Sequence, residues 1–238
     1  MEDWKLEPAR DLGLRGMDRY QSYQREGGLF ESSLRLAWWS FLRGVFRTWN
    51  RLNVVGREHL PVGQSFILAA NHASHIDALL LTTLLPVGLR DQTYSIAAHD
   101  VFFESRPKAA FTAKVVNAFP VVRRSVGGRN LAELRDKLLN ELCVFVLFPE
   151  GTRTRNDVMN RFKPGVGILV AGTSVPVVPC FIDGAFKAMP PNSWLLRPRR
   201  LTIRLGVPQI FDDVSNDRAG WNLCAERLEQ SVQSLSAG

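Results

Sequence analysis

The feature that most constrains this chain is a succession of short apolar runs, each bounded by turn residues and most followed by a helical pattern. Ser65–Ala70 (SFILAA), Thr93–Ala98, Phe119–Val122, Leu142–Leu147 (LCVFVL) and Val177–Ile182 read as strands, with two more at Asn53–Gly56 and Leu201–Gly206. Most are rich in Val, Ile, Leu and Phe, as a sheet covered on both faces requires. Helical patterns over Ala78–Leu85, Pro107–Asn117, Arg129–Leu139 and Gly165–Ala171 alternate with them, and a closing amphipathic helix carries Trp221, Leu228, Val232 and Leu235. Strand alternating with helix predicts an α/β fold: a single domain with a largely buried mixed sheet flanked by helices. The 238 residues suit one such core.

Composition narrows the setting. Apolar residues make up 45% and charged residues 22%, so neither a disordered chain nor a polytopic membrane protein fits. Residues 1–28 mix both charge signs and lack the apolar core of about 7 to 15 residues that a signal peptide needs. No spanning helix is expected, because Ala78–Leu89 is too short and Gly165–Ile182 is broken by Pro176 and Pro179. Cys143, Cys180 and Cys224 lie far apart with no C-x-x-C, which predicts a reducing, cytoplasmic compartment. The formal charge of +7 favours anionic partners such as phosphate esters, acidic lipid headgroups or nucleic acid. Nucleic acid is the weakest of these, because no recognised motif organises the basic residues.

Residues 29–52 give the clearest helical signal, with Leu34, Trp38, Phe41, Val45, Trp49 and Leu52 recurring at three- and four-residue steps. Arg35, Arg43, Arg47 and Arg51 recur at multiples of four beside that stripe. Aromatic rings next to guanidinium groups suit a helix lying in a bilayer interface, and an ordinary helix packed on its own domain suits the apolar stripe equally. The predicted organisation is a polar segment over 1–28, an amphipathic interface helix over 29–52 and a domain over 53–238.

Polar chemistry concentrates in two places. Asn71-His72-Ala73-Ser74-His75-Ile76-Asp77 follows a strand and opens a helix, at the kind of sheet edge where open α/β folds put their sites. His72 with Asp77 has the composition of a general base and its orienting carboxylate. Ser74-x-x-Asp77 also matches a capping box, in which Asp77 serves only the helix start. A metal reading of His72, His75 and Asp77 lacks ligands and second-shell partners, so no metal is expected. Ser74 lacks the G-x-S-x-G elbow of a nucleophile. The second concentration is Phe148-Pro149-Glu150-Gly151-Thr152-Arg153, directly after LCVFVL. A glycine turn with an arginine nearby suits a phosphate monoester, and it equally suits an ordinary strand-to-loop turn. Phe119–Ser125 and Arg161–Gly165 deliver further positive charge.

Together these segments resemble the glycerolipid acyltransferase family over roughly residues 53–206. Asn71, His72, Ser74 and Asp77 match its N-H-x-S-x-x-D block, and Phe119–Arg124 is similar to its second, arginine-ending block. Phe148–Arg153 carries F-P-E-G-T-R unbroken, and Val175–Pro179 is similar to its V-P-V-x-P strand. The resemblance implies that His72 takes a proton from an acceptor hydroxyl, that Asp77 orients His72, and that Arg123, Glu150, Gly151, Thr152 and Arg153 bind the substrate. It implies no bound cofactor. The implied donor is acyl-CoA or acyl-carrier protein, and the implied acceptor a lysophospholipid, foremost 1-acyl-glycerol 3-phosphate. Glycerol 3-phosphate, a lyso-ornithine lipid or another lysophospholipid are the alternative acceptors, and a non-catalytic lipid-surface binding protein is the alternative of another class. Lipid substrates imply a peripheral position on the anionic inner face of the cell membrane.

Overall fold

A computed structural model describes residues 8–98, 106–121, 129–190 and 193–237. Its strands are β1 (Asn53–Val55), β2 (Phe66–Ala70), β3 (Thr93–Ala98), β4 (Ala118–Val121), β5 (Val144–Leu147), β6 (Val177–Asp183) and β7 (Thr202–Leu205). They form one sheet in the order β1-β7-β6-β2-β5-β3-β4. The central β2 pairs in parallel with β5 and β6, and β3 pairs in parallel with β5 and β4. β7 runs antiparallel to β6 and parallel to β1, which makes the sheet mixed, as the sequence predicts. The helices are α1 (Met17–Gln21), α2 (Leu29–Thr48), α3 (Asp77–Leu84), α4 (Arg106–Lys114), α5 (Arg129–Asn140), α6 (Gly165–Val170), α7 (Ala185–Ala188) and α8 (Arg218–Ser234). Leu235, expected on the last helix, lies in the 3-10 turn after it.

The apolar runs form strands because both faces of the sheet are covered. All five residues of β2 are fully buried. Phe66, Leu68 and Ala70 face Leu80, Leu81 and Leu84 of α3 and Leu42 and Phe46 of α2. Ile67 and Ala69 face the opposite layer, built from Leu134 and Leu138 of α5, Leu169 of α6 and Leu228 and Val232 of α8. Each large side chain withdrawn from water in this way contributes about 1.5–3 kcal/mol.

The α2 helix departs from the sequence reading in two respects. It ends at Thr48, and the chain turns through Arg51, whose φ is 47°, before β1 begins. Its inward face is Leu42, Phe46 and Arg35, whereas Leu34, Phe41 and Trp49 of the expected stripe are exposed. Arg35 is therefore not part of an outward basic face. Its Nε lies 3.0 Å from Asp91 Oδ1, and Asp91 Oδ2 also accepts from Arg90 Nη2 at 2.5 Å and Ser32 Oγ at 2.6 Å. Arg35 is buried because a counter-charge waits for it beyond α3.

Residues 8–28 lie against the domain as a strap. Asp11 Oδ2 accepts from Arg19 Nε at 2.7 Å and from the Glu26 amide at 3.2 Å, closing the strap on itself. The Tyr23 ring meets Phe119 edge-on at 5.2 Å, and Arg25 Nη2 donates to Asn117 Oδ1 and the Ala118 carbonyl at 3.2 and 2.7 Å.

The Arg35–Asp91 contact sets an expectation for stability. Asp91→Asn leaves a buried guanidinium without its counter-charge and should cost about 2 kcal/mol, whereas Arg35→Met keeps the apolar stem and should cost less than about 1 kcal/mol. Burial pushes the Asp91 carboxyl up, but hydrogen bonds from Arg90 and Ser32 and the Arg35 charge outweigh it and hold the group below its ordinary value of 3.8. Its contribution is thus present above pH 3.8 and is lost as pH falls through the lower folded value. Urea titrations of both variants, repeated on acidification, measure these effects.

Candidate active site

Because β2 and β5 are parallel neighbours, with Ala69 opposite Leu147, the segments that follow them emerge at the same sheet edge. Residues 71–77 follow β2, and residues 148–155 follow β5. Two sequence blocks separated by seventy residues thereby become adjacent loops, the first leading directly into α3.

The first loop is held by its own polar side chains. Asn71 continues the sheet ladder past the end of β2: its Nδ2 donates to the Ile182 carbonyl at 3.0 Å, and its Oδ1 accepts from the Ile182 amide at 2.7 Å. Ser74 is fully buried and its Oγ donates to the Met189 carbonyl at 2.6 Å, which occupies the hydroxyl in anchoring the loop. Asp77 is also fully buried. Its Oδ2 accepts from three donors, His72 Nδ1 at 2.9 Å and the Ala73 and Ser74 amides at 2.7 Å each. The Ser74 amide bond is half of the expected capping box, but α3 is preceded by Ile76 with no side-chain cap bond, and the same Asp77 oxygen that accepts from the amides also holds the imidazole. Its other oxygen, Oδ1, is buried with no hydrogen-bond partner among the described residues.

Asp77 fixes the imidazole of His72. A carboxylate oxygen only accepts, so Nδ1 carries the hydrogen, and in the neutral ring the lone pair is then on Nε2. The ring also stacks on Phe148 at 4.1 Å with an interplanar angle of 18°, which removes its freedom to swing away. The His72 side chain remains 21% exposed. An oriented, partly accessible imidazole with a basic Nε2 is the arrangement that abstracts a proton from a hydroxyl.

The second loop braces the first. Glu150 is 1% exposed. Its Oε1 accepts from the His72 amide at 2.6 Å, and its Oε2 accepts from the Asn160 amide at 2.9 Å and Asn160 Nδ2 at 2.8 Å. Protein donors reach both Glu150 oxygens, and the carboxylate lies between the two loops, away from solvent. Burial pushes the Glu150 carboxyl up, and the bonds from Asn160 and His72 only partly offset this. The Thr154 amide also donates to the His72 carbonyl at 2.8 Å, so His72 is gripped by the second loop on both sides of its backbone.

Gly151 turns with a φ of 70°, and a Cβ there would lie 2.8 Å from Lys163 Nζ, so the glycine admits the lysine beside the turn. Thr152 is exposed next to it, and Arg153 is half-buried. Arg153 Nη1 meets His75 Nε2, and the other side of the His75 environment is the Trp194 ring, stacked at 5.0 Å and 19°. Arg153 thus comes within the same loop cluster as His72 and Asp77. Arg123 lies outside the described residues. Nothing in the sequence pattern points to Asn160 or Trp194, and His75 stands out there only through its place in the histidine-rich loop.

No group of three or more His, Cys, Asp or Glu able to hold a metal occurs among the described residues. The three cysteines are buried and unpaired. Burial pushes their thiols up, Cys143 to about 12 and Cys224 to about 11, and Cys180 further still, which leaves little thiolate for nucleophilic chemistry.

The Acyltransferase family model matches residues 51–183, more than half the chain, and spans both loops. The chain belongs to the acyltransferase family. A 1-acyl-sn-glycerol-3-phosphate acyltransferase of Cocos nucifera is 28% identical over 182 residues, which cover 71% of this chain and 53% of that protein. One of Bacillus subtilis is 26% identical over 196 residues, covering 82% and 89%. The chain spans little more than half the length of the plant relatives it matches. The crystal structure of the 1-acyl-sn-glycerophosphate (LPA) acyltransferase PlsC from Thermotoga maritima superposes with a TM-score of 0.62 at 26% identity, covering 87% of this chain and 82% of that one. The α/β fold expected from the sequence is therefore the fold of a solved family member.

The Glu150 brace yields an expectation. Glu150→Gln turns one acceptor oxygen into an amide that faces a donor, and should destabilise the protein by about 2 kcal/mol. Asn160→Ala removes only the Nδ2 donor and keeps the backbone amide bond, and should cost about 1 kcal/mol. Urea midpoints for the two variants test the order.

Proposed function

We propose that this chain transfers a fatty acyl group from an acyl thioester, acyl-CoA or acyl-carrier protein, to the free hydroxyl of a lysophospholipid, foremost 1-acyl-glycerol 3-phosphate. The observation that carries the reading is the His72 Nδ1 to Asp77 Oδ2 hydrogen bond of 2.9 Å within the loop that the family model covers. His72 Nε2 takes the hydroxyl proton as the alcohol oxygen attacks the thioester carbonyl. Asp77 stabilises the imidazolium that forms. When the tetrahedral intermediate collapses, the C–S bond breaks and the imidazolium returns the proton to the thiolate, giving ester and free thiol. The intermediate forms on the substrates, so the cysteines take no part.

In this proposal Arg153, with Arg123, binds the acceptor phosphate, and Gly151 and Thr152 lie beside it. Lys163, against the Gly151 turn, adds charge to that subsite. Glu150 acts through His72 and is a positioning residue. Residues 29–52 contact the membrane, residues 53–238 carry the chemistry, and residues 8–28 strap the two together. No helix among the described residues is long and apolar enough to cross a membrane. The outward side of α2 nevertheless presents Leu29, Phe30, Leu34 and Phe41 to solvent, which supports a peripheral position on an anionic bilayer, and we assign it to the inner face of the cell membrane.

A thiol-release assay with acyl-CoA and lysophosphatidic acid tests the reaction. His72→Ala should reduce release on the order of 10³-fold. Asp77→Asn retains an acceptor for the Ala73 and Ser74 amides but misorients the imidazole, and should lower kcat by a comparable factor with KM nearly unchanged. A folded His72→Ala variant with undiminished release refutes the mechanism. For the membrane contact, α2 also supplies Leu42 and Phe46 to the core, so point changes are needed. Phe30→Ser with Phe41→Ser should leave thermal stability nearly unchanged while weakening co-sedimentation with anionic vesicles about tenfold or more.

A further inference from the structure

We infer that the segment Ser193-Trp194-Leu195-Leu196-Arg197-Pro198-Arg199-Arg200 is a second contact with an anionic bilayer, placed beside the active site. The inference rests on the proposed action at a lipid surface. Trp194 and Leu195 are 86% and 72% exposed, among the most exposed large apolar side chains described. Arg197, Arg199 and Arg200 follow them directly, and all three are exposed. An indole and an aliphatic chain ahead of three guanidinium groups match the layers of a membrane surface: rings at the headgroup level, leucine at the acyl boundary and arginine on lipid phosphate.

The segment is held firmly from beneath: Leu196 packs against the core while Trp194, Leu195 and the three arginines are exposed. Fully buried Asn50 donates through Nδ2 to the Arg197 and Arg199 carbonyls at 2.9 and 3.0 Å, and the Arg197 amide donates to the Ala188 carbonyl at 2.8 Å. Trp49 Nε1 donates to the Leu196 carbonyl at 3.3 Å, which attaches the segment to the end of α2. Between them runs an open groove lined by Phe41, Val45, Trp49 and Leu196, so the exposed apolar side of α2 continues into this segment. Rigid presentation of apolar side chains keeps the ordering cost of insertion low.

Its position ties the surface to the chemistry. The Trp194 ring stacks on His75, and His75 meets Arg153, so a bilayer engaged by Trp194 lies at the margin of the loop cluster that holds His72. A lysophospholipid could then reach the site without leaving the interface. Positive charge also suits an acidic protein, including an acyl-carrier protein. The two outermost apolar side chains and the continuity with α2 favour the bilayer.

The test uses the full chain with a single bimane label at Leu195→Cys, since burial leaves the native thiols unreactive. Phosphatidylcholine vesicles with and without phosphatidylglycerol carry nitroxide-labelled lipids, and a second labelled variant, Phe30→Cys, reports on α2. The expected result is quenching at both positions on anionic vesicles. In parallel, Arg197→Gln with Arg199→Gln and Arg200→Gln should weaken partition to anionic vesicles tenfold or more and leave phosphatidylcholine vesicles unaffected. Quenching at position 30 without quenching at 195 overturns this inference and leaves the α2 contact standing. Absence of quenching at both overturns both. If the triple variant binds vesicles normally but loses retention of acyl-carrier protein, the surface serves that protein and the inference is wrong.

Discussion

A buried carboxylate joins the two halves of the candidate site. Glu150 hangs from the end of β5, yet one of its oxygens accepts from the backbone of His72 at the end of β2. Parallel strand pairing brings the two loops to one edge, but pairing alone does not fix their mutual height or rotation. The charge-assisted bond to the His72 amide, with Thr154 donating to the carbonyl of the same residue, supplies that restraint. Asp77 then fixes the ring while Glu150 fixes the backbone. The imidazole is thus defined from two directions by carboxylates that are themselves almost inaccessible to water.

The α2 helix shows how one element serves two solvents. Phe46 and Leu42 complete the layer over β2, and Arg35 is drawn inward by Asp91. The other side of the helix carries apolar side chains that no part of the described domain covers. Scattered exposed leucines are ordinary on protein surfaces, but a row of them along one helix, continuous with an exposed Trp-Leu segment, is a patch. The ion pair matters here because it sets the rotation of the helix about its axis, and so decides which residues are left facing outward.

Much of the fold was legible because strands buried on both faces carry their signal in a few adjacent residues. SFILAA and LCVFVL contain β2 and β5, and Val177–Ile182 misses the end of β6 by one residue. The end of α2 was less legible: apolar periodicity continues to Leu52, while the stop is set by Asn50, whose partners Arg197 and Arg199 lie far along the chain. Arg35 looked like a surface residue for the same reason, its counter-charge being on another element. In the site, His72 and Asp77 were legible because they sit in one short block. Asn160 was not, since its link to Glu150 depends on how a loop returns. Trp194 reaches His75 only through the tertiary fold.

The placement of β2 also bears on how the chain is made. Ile67 must pair with Phe145 on one side and with Val177 on the other, 110 residues later in the sequence. At a synthesis rate of about 5–20 residues per second, the middle strand waits roughly 5–20 s for its last neighbour to leave the ribosome. During that interval an uncharged five-residue strand has at least one unpaired edge, a state prone to joining other chains. Pairing of β2 on both edges is therefore complete only once translation has passed β6.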